Sequence, residues 1–377
     1  MSRIRTGYVR PLDIKHGHVD MTHGSGGRAM AQLIEELFAR HFDNEFLRQG
    51  NDGAVLPAPT FSGRLVMATD AHVVSPLFFP GGDIGCLSVH GTINDVAVMG
   101  ATPLWLAASF ILEEGFPLAD LDRIVASMAR ASSVAGVPVV TGDTKVVEAG
   151  KADGVFITTT GVGVLPDDLT LSGDRARPGD VVLLSGSIGE HGMAIMATRE
   201  NLGFASPIVS DTAALHGLIA AMLATDADTI EPPRSLRSLP PQGANVGLGR
   251  PRADIRCLRD PTRGGLATTL NEIARQSGVG VMLDETAIPV NGEVAAACEF
   301  LGLDPLYVAN EGKLVAIVAP ADADAVLAAL RAHPLGARAA KIGEVIADDH
   351  HFVQMTTGLG GRRIVDWLTG DQLPRIC

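Results

Sequence analysis

The sequence predicts an α/β protein of two lobes, and three observations carry that expectation. The chain has 377 residues, more than one hydrophobic core comfortably organises. Short apolar runs alternate with stretches of helical period along nearly all of it. Hydrophobic residues make up 46% of the chain, and 43 Gly and 22 Pro punctuate those runs as turns rather than dilute them into low complexity.

Taken in order, MAQLIEELFARHF places Met30, Leu33, Ile34, Leu37 and Phe38 at i, i+3, i+4, i+7 and i+8, the stripe of an amphipathic helix that starts directly after HGSGG. RLVMATD reads as a strand ending at Asp70, IGCLSVHGTINDVAVMGA as a helix stopping at Gly100, and LWLAASFIL as a buried strand. LADLDRIVASMARASSVAG repeats the helical period to Gly136, and VPVVTGDTKVV and GVFITTTGVGVL supply two further strands. The first lobe therefore spans about 1–170. A second, 171–349, opens with ARPGDVVLLSGSIGEHGMAIMA and continues through RDPTRGGLATTLNEIARQSGVGVML, LYVANEGKLVAIVA and ADADAVLAALRAH. Within it, about 226–254 holds Pro, Arg, Gly and Ser with no apolar period, as expected of a mobile insertion loop. Residues 350–377 read as a tail with one apolar patch, IVDWL, ending in PRIC.

The formal charge of -13 argues against a surface for DNA, RNA or acidic lipid. No apolar h-region follows the basic amino terminus, and the longest apolar run, TPLWLAASFIL, is about half of what spans a bilayer. A cytoplasmic protein is expected. Cys86, Cys257, Cys298 and Cys377 lie far apart with no C-x-x-C pair, so neither a zinc site nor a disulfide framework is indicated. The first three sit in apolar surroundings, as small core residues do. Cys377, the last residue, has no such explanation, and a one-sided tether would let its thiol travel.

HGSGGRAM sets Gly24, Ser25, Gly26 and Gly27 before a helix, where free N–H groups suit a phosphate, although a simple capping turn accounts for the pattern as well. Asp52, Asp70, Asp95 and Asp143 fall near strand ends or helix starts, where α/β folds gather ligand groups. Each also has an ordinary reading as a turn or cap residue. Together in one crevice they would need a cation, and Mg²⁺ bridging to a triphosphate is the usual solution. Lys145 follows Asp143 by two residues and shares its face of a strand. It suits a transferring phosphoryl group or a solvated edge equally. Asp260, Thr262 and Arg263 in DPTRGG precede another helix; Arg263 fits a phosphate or a surface carboxylate. Glu311 in ANEGKLVAIV stands before a buried strand, where a turn carboxylate is the plain alternative.

The order HGSGG, NDGAV, ATD, GTINDVAVMGA, VTGDTKVV, RDPTRGGLATTLNEIA, NEGKLVAIV and terminal PRIC closely resembles the HypE family of hydrogenase maturation factors. That family is part of the ATP-dependent superfamily containing aminoimidazole ribonucleotide synthetase and selenophosphate synthetase. NDVAVMGA and DPTRGG carry the superfamily, and PRIC the HypE member. The stretch from about Asp226 to Asp254 is longer than the family pattern. The resemblance implies a two-domain ATP-binding synthetase-like α/β fold, homodimeric through first-domain strands, with a mobile C-terminal tail. It also implies a carbamoyl dehydratase: Cys377 receives a carbamoyl group from HypF, ATP drives its dehydration to a thiocyanate, and the cyano group passes to iron held by HypC–HypD for the nickel-iron hydrogenase. By resemblance, Asp52, Asp70, Asp95 and Asp143 hold Mg²⁺ and ATP. Gly24, Ser25, Gly26, Gly27, Asn94, Gly142, Thr144, Asp260, Thr262 and Arg263 line the ATP site, Lys145 meets the reacting oxygen, and Glu311 is the base. The alternatives are another small-molecule synthetase or kinase of the superfamily, or a nucleotide-gated scaffold whose tail only docks partners. Selenophosphate synthesis calls for a cysteine or selenocysteine near HGSGG, and there is none.

Overall fold

The structure, a computed structural model, describes residues 11–25, 27–49, 53–58, 62–202, 208–226, 252–369 and 375–376. The expectations placed on Gly26, Asp52, Cys377 and the core of the insertion, 227–251, lie outside the described residues.

The first helical stretch runs as α1 (Arg28–Leu33), a π-helical segment (Ile34–Phe38) and α2 (Ala39–His41). After it come β1 (Arg64–His72), a two-residue hairpin of β2 (Phe78–Phe79) and β3 (Gly82–Asp83), and α3 (Ile84–Val98). Then follow β4 (Thr102–Glu113), α4 (Leu118–Ala135), β5 (Val139–Val147) and β6 (Val155–Leu165). The helices start and stop where local chemistry says they should. The Asp83 carboxylate caps α3 by accepting from the N–H of Gly85 (2.8 Å) and Cys86 (3.1 Å). Gly136 ends α4 in the left-handed conformation, φ 69°.

These strands form one sheet in the order β1-β6-β4-β5, with only β4 and β5 parallel. Its register sorts the side chains. Asp70, Thr159, Ala108 and Gly142 share one row, and Ala71, Thr158, Ser109 and Asp143 the next. Alternation therefore sends Asp70 and Asp143 to opposite faces. Helix α3 covers the Asp70 face, where the Thr159 hydroxyl donates to the Ser88 carbonyl (2.8 Å) and lies 2.6 Å from the Thr92 hydroxyl. The other face leaves Leu65 and Met67 at 69% and 74% exposure, with Ile111 at 40%.

The second sheet is seven-stranded. Along the chain the second lobe contains β7 (Val181–Leu184), α5 (Glu190–Arg199), α6 (His216–Leu223), β8 (Ile255–Arg259) and α7 (Gly265–Ser277). It continues with β9 (Gly280–Asp284), α8 (Gly292–Leu301), β10 (Val315–Val318) and α9 (Ala323–Ala332). It closes with β11 (Ala340–Ile346), β12 (Val353–Thr356) and β13 (Arg362–Ile364), giving the order β13-β12-β9-β11-β7-β10-β8. Residues 353–364 thus belong to this sheet and not to the tail expected from 350. Val353 and Met355 are buried there because β12 pairs in parallel with β9, which the short apolar pattern alone does not reveal. The feet of the insertion meet in a bridge between Asp226 and Arg252. Cys257 and Cys298 are buried and Cys86 half-buried, as expected of core thiols.

Helix α3 has buried residues all round because it is packed between the first sheet and the second lobe. Its Asn94 ties the two together. The side-chain amide donates to the carbonyls of Ala213 (3.0 Å) and Glu311 (3.4 Å), and its oxygen accepts from the Leu215 N–H (2.7 Å). Close approach of α3 to β6 depends on glycine: a Cβ at Gly163 would stand 2.5 Å from Val96 Cγ1 and 2.7 Å from the Thr102 carbonyl. Gly163→Ala should therefore cost about 1–3 kcal/mol by overpacking, read as a lowered midpoint in chemical denaturation.

Candidate active site

Three carboxylates meet at the seam between the lobes: Asp70 near the end of β1, Asp95 in the last turns of α3, and Asp260 just after β8. Burial, followed by the charges of Asp260 and Asp70, pushes Asp95 up to about 7. Asp260, partly accessible but desolvated around its carboxyl and facing the charge of Asp70, is pushed up to about 6, and its Oδ2 has no hydrogen-bond partner among the described residues. Burial acts on Asp70 in the same direction, but the His72 ring, the Ala71 N–H and Arg263 outweigh it and leave its carboxyl below the ordinary value. His72 Nε2 lies 3.2 Å from Asp70 Oδ2, and the imidazole is buried. Gly91 makes room for this pair, since a Cβ there would stand 2.9 Å from His72 Nε2 and 3.3 Å from Asp70 Oδ2.

Two acids with raised proton affinity, one of them with an unpartnered oxygen, beside a third carboxylate are what a cation resolves. Among the described residues, no three His, Cys, Asp or Glu side chains stand close enough to hold a metal by themselves. The donor set therefore suits a hard cation whose remaining ligands are phosphate oxygens and water. Of the four aspartates expected together, Asp70 and Asp95 are neighbours, Asp143 is on the opposite sheet face, and Asp52 lies outside the described residues. Asp260 takes a place in the acidic group that the sequence did not assign to it. His72 was missed as well, although the D-x-H spacing in ATDAH put both side chains on one strand face.

Asp143 and Lys145 share the helix-free face of β5, with Lys145 Nζ 3.3 Å from Asp143 Oδ2 and both side chains more than half exposed. Thr144 donates its N–H to Asp143 Oδ1 (2.8 Å). On the other face, Gly142 and Thr144 adjoin an apolar cavity of about 170 Å³ lined by Met30, Ile34, Phe38 and Phe110. Its walls suit a ring rather than a phosphate. In DPTRGG, two successive left-handed residues, Gly264 (φ 78°) and Gly265 (φ 63°), turn the chain into α7. Gly265 also passes close to the 306–308 segment, for its Cβ would be 2.5 Å from the Leu306 carbonyl. Thr262 N–H returns to the Asp260 carbonyl (2.9 Å), so the loop is a compact turn that aims Arg263 toward Asp70. In HGSGG, Asp20 caps a short 3₁₀ turn and His23 Nδ1 accepts from the Asp20 N–H (3.0 Å). Ser25 Oγ donates to the Thr22 carbonyl (3.0 Å), and Gly27 caps α1. Glu311 is buried at the seam, its N–H donating to Asp211 Oδ1 (3.1 Å). Asp211 in turn pairs with Lys313 at 2.9 Å.

The comparisons with known proteins cover the whole of this frame. Residues 50–165 match the AIR synthase related protein, N-terminal domain, and residues 177–356 its C-terminal domain. Carbamoyl dehydratase HypE of Cupriavidus necator is 66% identical over 374 residues, 99% of each chain, and that of Escherichia coli 43% identical over 363, 96% of this chain and 99% of its own. The chain belongs to the HypE family. A crystal structure of HypE in complex with ATP superposes with a TM-score of 0.84 at 48% identity, covering 95% of this chain and 99% of that one. HypE in a HypE–HypF complex gives 0.71 at 46%, covering 89% and 99%. Thiamine monophosphate kinase from Aquifex aeolicus, 16% identical with a TM-score of 0.54, shares the fold alone. The two-domain architecture of this chain is therefore that of the AIR synthase related proteins, and no helix among its described residues is long and apolar enough to cross a membrane.

The strained acidic group has a measurable signature. Because the folded-state value of Asp95 is raised from 3.8 to about 7, its contribution is fully present below pH 4 and is lost as pH rises through 7. Without nucleotide, Asp95→Asn should gain on the order of 2 kcal/mol over the parent at pH 8 and nothing at pH 4. Denaturant titrations at the two pH values check this.

Proposed function

We propose that this chain is an ATP-dependent carbamoyl dehydratase working in the cytoplasm, with S-carbamoyl Cys377 as its substrate group. The observation that carries the reading is the group of Asp70, Asp95 and Asp260 at the seam, two of them with raised proton affinity, in a chain 66% identical end to end to a carbamoyl dehydratase. An amide oxygen leaves poorly, and phosphorylation converts it into phosphate. The carbonyl oxygen of the thiocarboxamide attacks the γ-phosphorus and ADP departs. The C–O bond then breaks, phosphate leaves with the carbonyl oxygen, and both N–H protons are given up as the C≡N bond forms. The products are the thiocyanate, ADP, hydrogen phosphate and one proton.

The residues divide this work by charge. Arg263, beside Asp70, neutralises phosphate oxygens, and Lys145 stabilises the reacting carbonyl or phosphoryl oxygen. Glu311, at the seam, takes the nitrogen proton. The turn around Gly24, Ser25 and Gly27 closes over the triphosphate, joined by Gly26 and Asp52, and Gly142, Asp143 and Thr144 border the nucleotide. Mg²⁺, when bound by Asp70 and Asp95 with Asp260 beside them, would supply charge neutralisation of the triphosphate. A second copy of the chain covers the Leu65, Met67 and Ile111 face, which brings Asp143 and Lys145 to a dimer cleft. HypF delivers the carbamoyl group and HypC–HypD accepts the cyano group. A crystal structure of a HypE–HypF complex supports the first of these encounters.

Intact mass after incubation with a carbamoyl donor decides between readings. A Cys377 adduct that loses one water only when ATP is added is expected. An adduct that keeps its water with ATP points to a different synthetase or kinase, and no adduct to a docking scaffold. Lys145→Ala should slow water loss by about 10²–10³. Met67→Lys should shift the sedimenting species from dimer to monomer.

A further inference from the structure

The last described residues of the chain, Arg375 and Ile376, are docked, and they are held mainly through their carbonyls. The Arg375 carbonyl accepts from the Ser75 N–H (3.1 Å) and from Arg199 Nη2 (2.9 Å), while its side chain pairs with Asp153 at 3.1 Å. The Ile376 side chain is 4% exposed and completes the first-lobe core, in the same cluster as Ile195 and Ala309. Its carbonyl lies 2.8 Å from Nε2 of His191, a fully buried ring whose Nδ1 is 2.8 Å from Ser210 Oγ. A carbonyl only accepts, so Nε2 carries the proton. The neutral ring then accepts at Nδ1 from the Ser210 hydroxyl, which itself accepts the Thr212 N–H (3.2 Å). Phe79 packs against the ring in a T-shaped contact, 5.5 Å between centroids. The neighbours of His191 hold the Glu311 segment: Gly192 N–H donates to the Ala309 carbonyl (3.1 Å), Gly189 N–H to Asn310 Oδ1 (2.7 Å), and Asp211 accepts the Glu311 N–H (3.1 Å).

We propose that His191 is the positioning residue for Cys377: a tautomer-fixed imidazole that binds the carbonyl of Ile376, the residue before it, and so restrains how far the cysteine can range. It acts on the backbone and not on the thiol, so it serves the loaded and the unloaded cysteine alike. Covalent geometry keeps the Cys377 Cα about 3.8 Å from that of Ile376, so fixing the Ile376 carbonyl restricts where the sulfur can be. The inference rests on the proposed dehydration only for what Cys377 carries; the docking itself does not depend on it.

The test uses the full chain and three variants, His191→Leu, His191→Gln, which keeps an N–H donor near the Nε2 position, and Ser210→Ala. The rate of Cys377 alkylation by iodoacetamide, located by peptide mass, reports docking without reference to any reaction. His191→Leu should raise it about tenfold, the scale of one buried hydrogen bond, and slow ATP-driven water loss from the carbamoylated chain to a similar degree while ATP affinity is unchanged. His191→Gln should stay near the parent in both. Ser210→Ala should move in the direction of His191→Leu, and it carries the test if that variant fails to fold. Alkylation at the parent rate in His191→Leu, or a loss in His191→Gln as large as in His191→Leu, overturns the assignment. If the parent loses no water with ATP, the dehydratase reading fails while the alkylation contrast still decides the docking.

Discussion

The desolvation of Asp95 and Asp260 beside Asp70 is the constraint on which the site depends. Loss of solvent, with the neighbouring carboxylate charges behind it, raises the proton affinity of Asp95 and Asp260, while half-exposed Asp70 stays ionised beside His72. The site tolerates it because each acid is fixed by a different rigid element: a strand, a helix turn and the exit of a second strand. Asn94 locks the same helix to the backbone of the second lobe, so α3 both carries Asp95 and keeps the lobes in register.

Close backbone approach is the second device. Gly91 clears space for Asp70 and His72, and Gly265 lets the DPTRGG turn lie against the 306–308 segment that leads to Glu311. A side chain at either place would push the seam apart. The glycines of this chain matter here less for flexibility than for the volume they leave to their neighbours.

The sheet register separates the chemistry into two surfaces. Asp70 faces α3, whereas Asp143 and Lys145 face outward among exposed apolar residues. Within one chain the lysine is directed away from the acidic group, onto a face that also exposes Leu65, Met67 and Ile111. Ile376 adds a further element: its side chain is part of the first core and its carbonyl is bonded to His191, one residue before Cys377.

Much of this was legible in the sequence. The helices over LADLDRIVASMARASSVAG and after DPTRGG follow from their apolar stripes and glycine ends, and the motifs named the family because their order runs along the whole chain. Local chemistry decides those features, so a linear reading finds them. The partnership of Asp260 with Asp70 and Asp95, the separation of Asp143, the sheet membership of residues 353–364 and the grip of His191 on Ile376 were not legible. Each joins residues distant in sequence or depends on strand register, and a shift of one residue reverses a strand's faces. The sequence determined which residues were available to the chemistry; tertiary packing decided which of them share a low-dielectric space, and so which ones feel one another's charge.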